Sequence, residues 1–186
     1  MLTSTVLSVA LFLSSHAVGA WAQTALALDG SRVDPWSASG SKVVVLIFVR
    51  TDCPISNRYA PTIEQLKESY GKRVAFWLVY VDARVTAKDI RRHEREYRLT
   101  LAALRDPQHA LVKRSQVRIT PEAAVFTVEH ALAYHGRIDN LYEDIGKSRP
   151  AATSHELADA IENTLRGVAA KMPAGSAVGC YISDVE

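Results

Sequence analysis

Cysteine is scarce in this chain, two in 186 residues. That excludes a small fold stapled by several disulfides and a zinc site of four thiolates. Net charge is scarce too: 22 Lys+Arg face 20 Asp+Glu, a formal +2. A dedicated nucleic-acid binder carries a strongly basic face, so no nucleic-acid partner is expected. Nine glycines and seven prolines are too few for a collagenous or low-complexity chain. Beyond residue 22 no apolar run is long enough to span a membrane. What is present is ordinary globular material, 48% hydrophobic and 23% charged, at a length that fits one domain.

The first 22 residues stand apart. Met1 to Ala22 holds no Lys, Arg, Asp or Glu, has an apolar core from Val6 to Leu13, and ends Ala20-Trp21-Ala22. This is the pattern of a secretory signal peptide cleaved after Ala22, although the start lacks a basic residue. The expectation is a periplasmic or secreted protein, free of the membrane after cleavage, in a compartment where thiols pair or cycle. The remaining boundaries read as a lead-in segment 23–42, a domain 43–170 and a tail 171–186 that carries Cys180.

Along the domain, Val43 to Val49 is a continuous apolar run rich in β-branched residues, the composition of a strand buried on both faces. Thr62 to Tyr70 reads as a helix, Val74 to Val81 as a second buried strand, and Thr86 to Tyr97 as a solvent-facing helix with Ile90 and Tyr97 inward. Asp106 and Pro107 open a short helix as N-cap and first residue. Ala123 to Val128 and Leu132 to Tyr134 form an antiparallel hairpin, with His130 tolerating a left-handed turn position. Thr153 to Arg166 is a final helix, with Thr153 and Glu156 as its capping box. Strands alternating with helices imply an α/β fold: a central mixed sheet flanked by helices, in one domain.

Cys53 falls between the first buried strand and a helix. Unpaired amides and the dipole at a helix start favour an anion, so its thiol should be more acidic than a free one. Arg50 and Arg58 lie near enough in sequence to help, and Asp52 opposes them if it points inward. Ser56, Asn57 and Tyr59 offer hydrogen bonds to the sulfur or to an incoming oxidant; capping and solvent exposure are the plainer alternative.

The buried strand, then T-D-C-P-I-S-N-R-Y-A-P, then I-T-P-E-A before a hairpin resembles the thioredoxin-like superfamily, and within it the redoxin or alkyl hydroperoxide reductase/thiol-specific antioxidant type. Y-H-G-R-I-D-N and A-V-G-C-Y-I are similar to strings of an exported redoxin subfamily. The resemblance spans about Val43 to Ile182 and implies a thioredoxin-like fold. It makes Cys53 the attacking cysteine and Pro121 the proline that is usually cis beside it. The departures are specific. Ser56 stands where a thioredoxin has its second cysteine. Arg50 and Leu46 stand where typical peroxiredoxins have Thr and Pro, although Thr51 lies one residue later. Asn57 stands where the related copper chaperones have a second cysteine.

A lone acidic thiol supports oxidation by a peroxide to a sulfenic acid, or attack on a disulfide to give a mixed disulfide. Either route needs a second thiol, and Cys180, 127 residues on, is the internal candidate for a resolving thiol. Spacing leaves open whether it pairs or stays single. Arg137 is a candidate to stabilise a thiolate or to pair with Asp139. The expected function is a thiol-dependent oxidoreductase acting on peroxide or protein disulfide/thiol substrates, with an external thiol reductant and no cofactor. The alternative is a non-catalytic binding module or copper-delivery protein, for which Cys53, His130 and His135 would be the metal ligands.

Overall fold

All seven residues of the strand Val43–Val49 are buried, and the fold is built outward from it. The computed structural model describes residues 25–40, 42–172 and 175–183; the expected signal peptide lies outside them. The chain opens with β1 (Ala25–Leu26), β2 (Arg32–Val33) and the short helix α1 (Pro35–Ser39), then β3 (Val43–Val49). There follow α2 (Pro54–Arg58), α3 (Ala60–Tyr70), β4 (Val74–Tyr80), α4 (Ala87–Tyr97), β5 (Ala102–Arg105) and α5 (Ala110–Ser115). The second half contributes β6 (Ile119–Thr120), β7 (Glu122–Phe126), β8 (Leu132–Gly136), β9 (Tyr142–Asp144), β10 (Lys147–Ser148), α6 (Glu156–Leu165) and β11 (Cys180–Tyr181).

The main sheet has the order β2-β1-β5-β4-β3-β7-β8. β3, β4 and β5 run parallel, while β7 lies antiparallel to β3 and β8 antiparallel to β7. Alternate side chains of a strand face opposite ways, so β3 feeds two cores. Val43, Val45, Ile47 and Val49 pack with Ile63 and Leu66 of α3, Ile90 of α4 and Leu157, Ala160 and Ile161 of α6. Val44, Leu46 and Phe48 pack with Trp36 of α1, Leu111 and Val112 of α5 and Phe126. Each such aliphatic side chain contributes about 1.5–3 kcal/mol by leaving water. Helices therefore cover both faces of a mixed sheet in one domain, as the sequence pattern implies.

Three local expectations are corrected. Helical structure begins before Thr62, at Pro54, and α2 and α3 meet at Tyr59. α5 begins at Ala110 rather than Pro107, because Asp106 caps it from a distance. Its carboxylate accepts the N–H groups of Ala110, Leu111 and Val112, all within 3.0 Å. α6 begins at Glu156, and the Thr153 capping box does not form. Thr153 instead takes a hydrogen bond from Asn140, and Glu156 binds Arg137 and Ser154. The tail after α6 returns to the sheet, where β11 pairs antiparallel with β6, Cys180 opposite Thr120. No helix among the described residues is long and apolar enough to cross a membrane.

Candidate active site

Cys53 follows the carboxyl end of β3 and serves as N-cap of α2, with extended backbone and Pro54 in the first helical position. In open α/β sheets this end of the strands is where sites form. The residue is fully buried. Its thiol donates to the Thr120 carbonyl at 3.3 Å, and the Cys180 thiol donates to the Cys53 sulfur, 2.7 Å away. Both cysteines are free thiols. The Thr120–Pro121 peptide next to them is cis.

The tail is held there by several contacts. Thr120 Oγ1 donates to the Cys180 carbonyl at 3.3 Å, and Ile182 N–H donates to Arg118 O at 2.9 Å. Ile182 is buried in the α1/α5 core. Gly179 passes so close to β6 that an added Cβ would stand 2.0 Å from the Thr120 carbonyl oxygen. Only glycine lets the backbone approach this closely.

The two thiols differ in acidity. At Cys53 burial opposes ionisation, but hydrogen bonds from the Cys180 thiol and from the Ser56 hydroxyl and amide outweigh it, and its pKa is lowered. Burial and the neighbouring Cys53 sulfur both push Cys180 upward, and Arg50 offsets this only in part. Ser56 is 3% exposed, and its hydroxyl has no partner in the thiol form. A thiolate at Cys53 gives that hydroxyl an acceptor, so ionisation relieves a buried unsatisfied group.

Other expected site residues are engaged elsewhere. Arg50 binds Asp52 at 2.9 Å and reaches Asp82 at 3.5 Å. Arg58 lies at the end of α2. Tyr59 donates to Asp139 at 2.5 Å, inside the protein. Arg137 pairs with Glu156, not with Asp139 or the thiol. Asn57 turns away from the sulfur, toward Thr51 and His93. The metal alternative is not assembled. His130 sits at φ 66° in the β7–β8 turn, beyond Phe126, which pairs with Val44 at the start of β3. Cys53 lies past the other end of that strand. His135 is opposite Ala124, midway between. Among the described residues no three His, Cys, Asp or Glu side chains gather to hold a metal.

Two groups escaped the sequence reading. One is Thr120, whose carbonyl meets the thiol; the cis-proline motif pointed to its neighbour. The other is His93, a buried histidine within a charged helix, for which the Ile90–Tyr97 stripe gave only the face.

A buried strand, a cysteine-headed helix and a cis-proline loop on one sheet end define a class, the thioredoxin-like redoxins. The thioredoxin-like family model matches residues 40–131, which supports the thioredoxin-like superfamily. No curated protein sequence matches the chain. Among solved structures, an uncharacterised conserved protein of Geobacillus kaustophilus is similar with a TM-score of 0.67 at 19% identity, over 86% of each chain. A secreted disulfide oxidoreductase of Mycobacterium tuberculosis is similar with a TM-score of 0.52 at 19% identity, over 78% of this chain and 95% of that one. An exposed lipoprotein thioredoxin of Streptococcus pneumoniae is similar with a TM-score of 0.54 at 21% identity, over 78% and 98%. The fold is that of thioredoxin-like thiol-disulfide oxidoreductases.

Proposed function

We propose that this chain is a thiol-disulfide oxidoreductase in which Cys53 and Cys180 form the working dithiol. The observation that carries this reading is the 2.7 Å approach of the two sulfurs, from positions 127 residues apart, with Cys53 the more acidic. The Cys53 thiolate attacks one sulfur of a protein disulfide, forming a mixed disulfide and releasing the other sulfur as a thiolate. Cys180, deprotonated as it reacts, attacks the Cys53 sulfur. The Cys53–Cys180 bond forms and the second substrate thiolate leaves. Two electrons pass from the pair to the substrate, and an external dithiol restores the pair by two further exchanges. Cys180 thus fills the role that Ser56 cannot, with the tail 171–186 a working part of the redoxin domain 43–170. Pro121 follows, through a cis peptide, the Thr120 carbonyl that accepts from the Cys53 thiol; Ser56 supports the thiolate.

The charge-free apolar segment Met1–Ala22 supports export of this protein, to a periplasmic or extracellular setting where protein disulfides are the available partners.

Reduction of insulin by dithiothreitol tests the reading. The wild type accelerates it. Cys53→Ser lowers the rate by about a hundredfold or more, as loss of a nucleophile does. Cys180→Ser accumulates a mixed disulfide on Cys53. Hydrogen peroxide consumption is measured in parallel. A Cys53-dependent peroxide rate above the insulin rate would move the assignment to a peroxidase.

A further inference from the structure

Asn57 lies four residues past Cys53 and spans the loop that carries it. Its backbone N–H binds the Cys53 carbonyl at 3.0 Å. Its side-chain Nδ2 donates to the Thr51 carbonyl at 3.2 Å and to the Tyr97 hydroxyl at 3.1 Å. Its Oδ1 is 2.8 Å from His93 Nε2, and His93 Nδ1 is 2.9 Å from the Tyr80 hydroxyl. His93 is 5% exposed and Tyr80 2%. The chain of contacts joins the cysteine loop to β4 and α4, whose positions are set by the core.

Every direction in this chain is fixed by the first. A carbonyl only accepts, so Thr51 forces the Asn57 nitrogen toward itself and the Asn57 oxygen toward His93. That oxygen only accepts, so His93 carries its proton on Nε2. In the neutral ring Nδ1 then holds a lone pair, and the Tyr80 hydroxyl donates to it. Burial keeps the ring neutral. A buried network whose members are all satisfied specifies one arrangement.

We propose that His93 is the positioning residue for Cys53: its Nε2–H tautomer, accepting from Tyr80 and donating to Asn57, clamps the Thr51–Asn57 loop and keeps the Cys53 sulfur in reach of Cys180. The proposal rests on the reading of Cys53 and Cys180 as a working dithiol. A displacement of about 1 Å at a reacting atom costs on the order of a hundredfold in rate. Loss of the clamp therefore shows in how readily the two sulfurs meet, and not only in stability.

The test uses the full chain. Peptide mapping of the oxidised wild type comes first; absence of a Cys53–Cys180 linkage would remove the dithiol reading and this proposal with it. The effective concentration of Cys180 toward Cys53 is then measured by equilibration with glutathione, well below the unfolding temperature. His93→Leu is expected to lower it about tenfold or more, and His93→Gln, whose amide can donate to Asn57, to recover most of the loss. A folded His93→Leu within about twofold of wild type would overturn the proposal while leaving the dithiol reading intact. Should His93→Leu not fold, the ¹⁵N shifts of the wild-type ring decide. A proton on Nε2 supports the clamp, and a proton on Nδ1 contradicts it.

Discussion

At Cys53 burial works against charge, yet hydrogen bonds from the side chains and backbone of Cys180 and Ser56 reverse the balance. Cys180 has burial and a neighbouring sulfur against it and a partly neutralised Arg50 in its favour. The expected outcome is that alkylation of Cys53 in Cys180→Ser half-saturates at a lower pH than that of Cys180 in Cys53→Ser. The first variant keeps a hydroxyl and the backbone amide as donors at position 180, so the low Cys53 midpoint should persist in it; Ser56→Ala on top of it should raise that midpoint. Equal midpoints in the single variants would contradict the account. Cys53 was legible because a cysteine between a buried strand and a helix start is unusual. The cause of its acidity was not. The sequence suggested the helix end and two arginines, whereas Arg50 is shared between two aspartates and the named donors are Ser56 and Cys180. Side-chain pairing of this sort depends on which way Arg50 and Asp52 point, and spacing does not carry that.

Among elements, the decisive one is the two-residue strand β11. It has too few residues for a periodic pattern, and its partner β6 is equally short, so no sequence signal joins them. The pairing depends on Gly179. In Gly179→Ala the new methyl meets the Thr120 carbonyl, and the tail must lift from β6. Overpacking of this kind costs about 1–3 kcal/mol. Slower Cys53–Cys180 oxidation and faster proteolysis after residue 170 are expected, with the unfolding of the main sheet little changed. Buried strands were the most legible elements: Val43–Val49 and Val74–Tyr80 declare themselves by unbroken apolar composition. β5, Ala-Ala-Leu-Arg, offers no β-branched residue and passes unnoticed. The start of α5 was misread for a physical reason. Asp106 does cap, but it holds three amides from beyond an intervening turn instead of standing next to the helix. Asp106→Ala strips those amides of their buried acceptor, and a loss of about 2–4 kcal/mol is expected by denaturant titration.

For the whole molecule, the alternating burial of β3 ties both helical layers to one strand, and His93 couples that core to pH. An unfolded His93 titrates at its ordinary value of 6.5, and the folded ring resists protonation because it is buried, with Glu96 opposing this. The folded chain therefore binds fewer protons than the unfolded chain below 6.5. Stability falls as pH drops through that value, by at most about 1.4 kcal/mol per pH unit from this group. Thermal unfolding of wild type and His93→Gln between pH 7 and 5 should show the steeper decline in the wild type. Fold class and layer order were open to sequence reasoning, because hydrophobic periodicity encodes them. Cys180 was nameable as the candidate resolving thiol, but the pairing that brings it to Cys53 was not legible, because β6 and β11 have two residues each.

The dithiol is the centre of this account, and non-reducing peptide mapping after equilibration with oxidised glutathione tests it most directly. The account predicts a Cys53–Cys180 linked peptide within a single chain, formed reversibly and absent from either serine variant. Both cysteines carrying glutathione singly, with no linked peptide and no dimer, would contradict it.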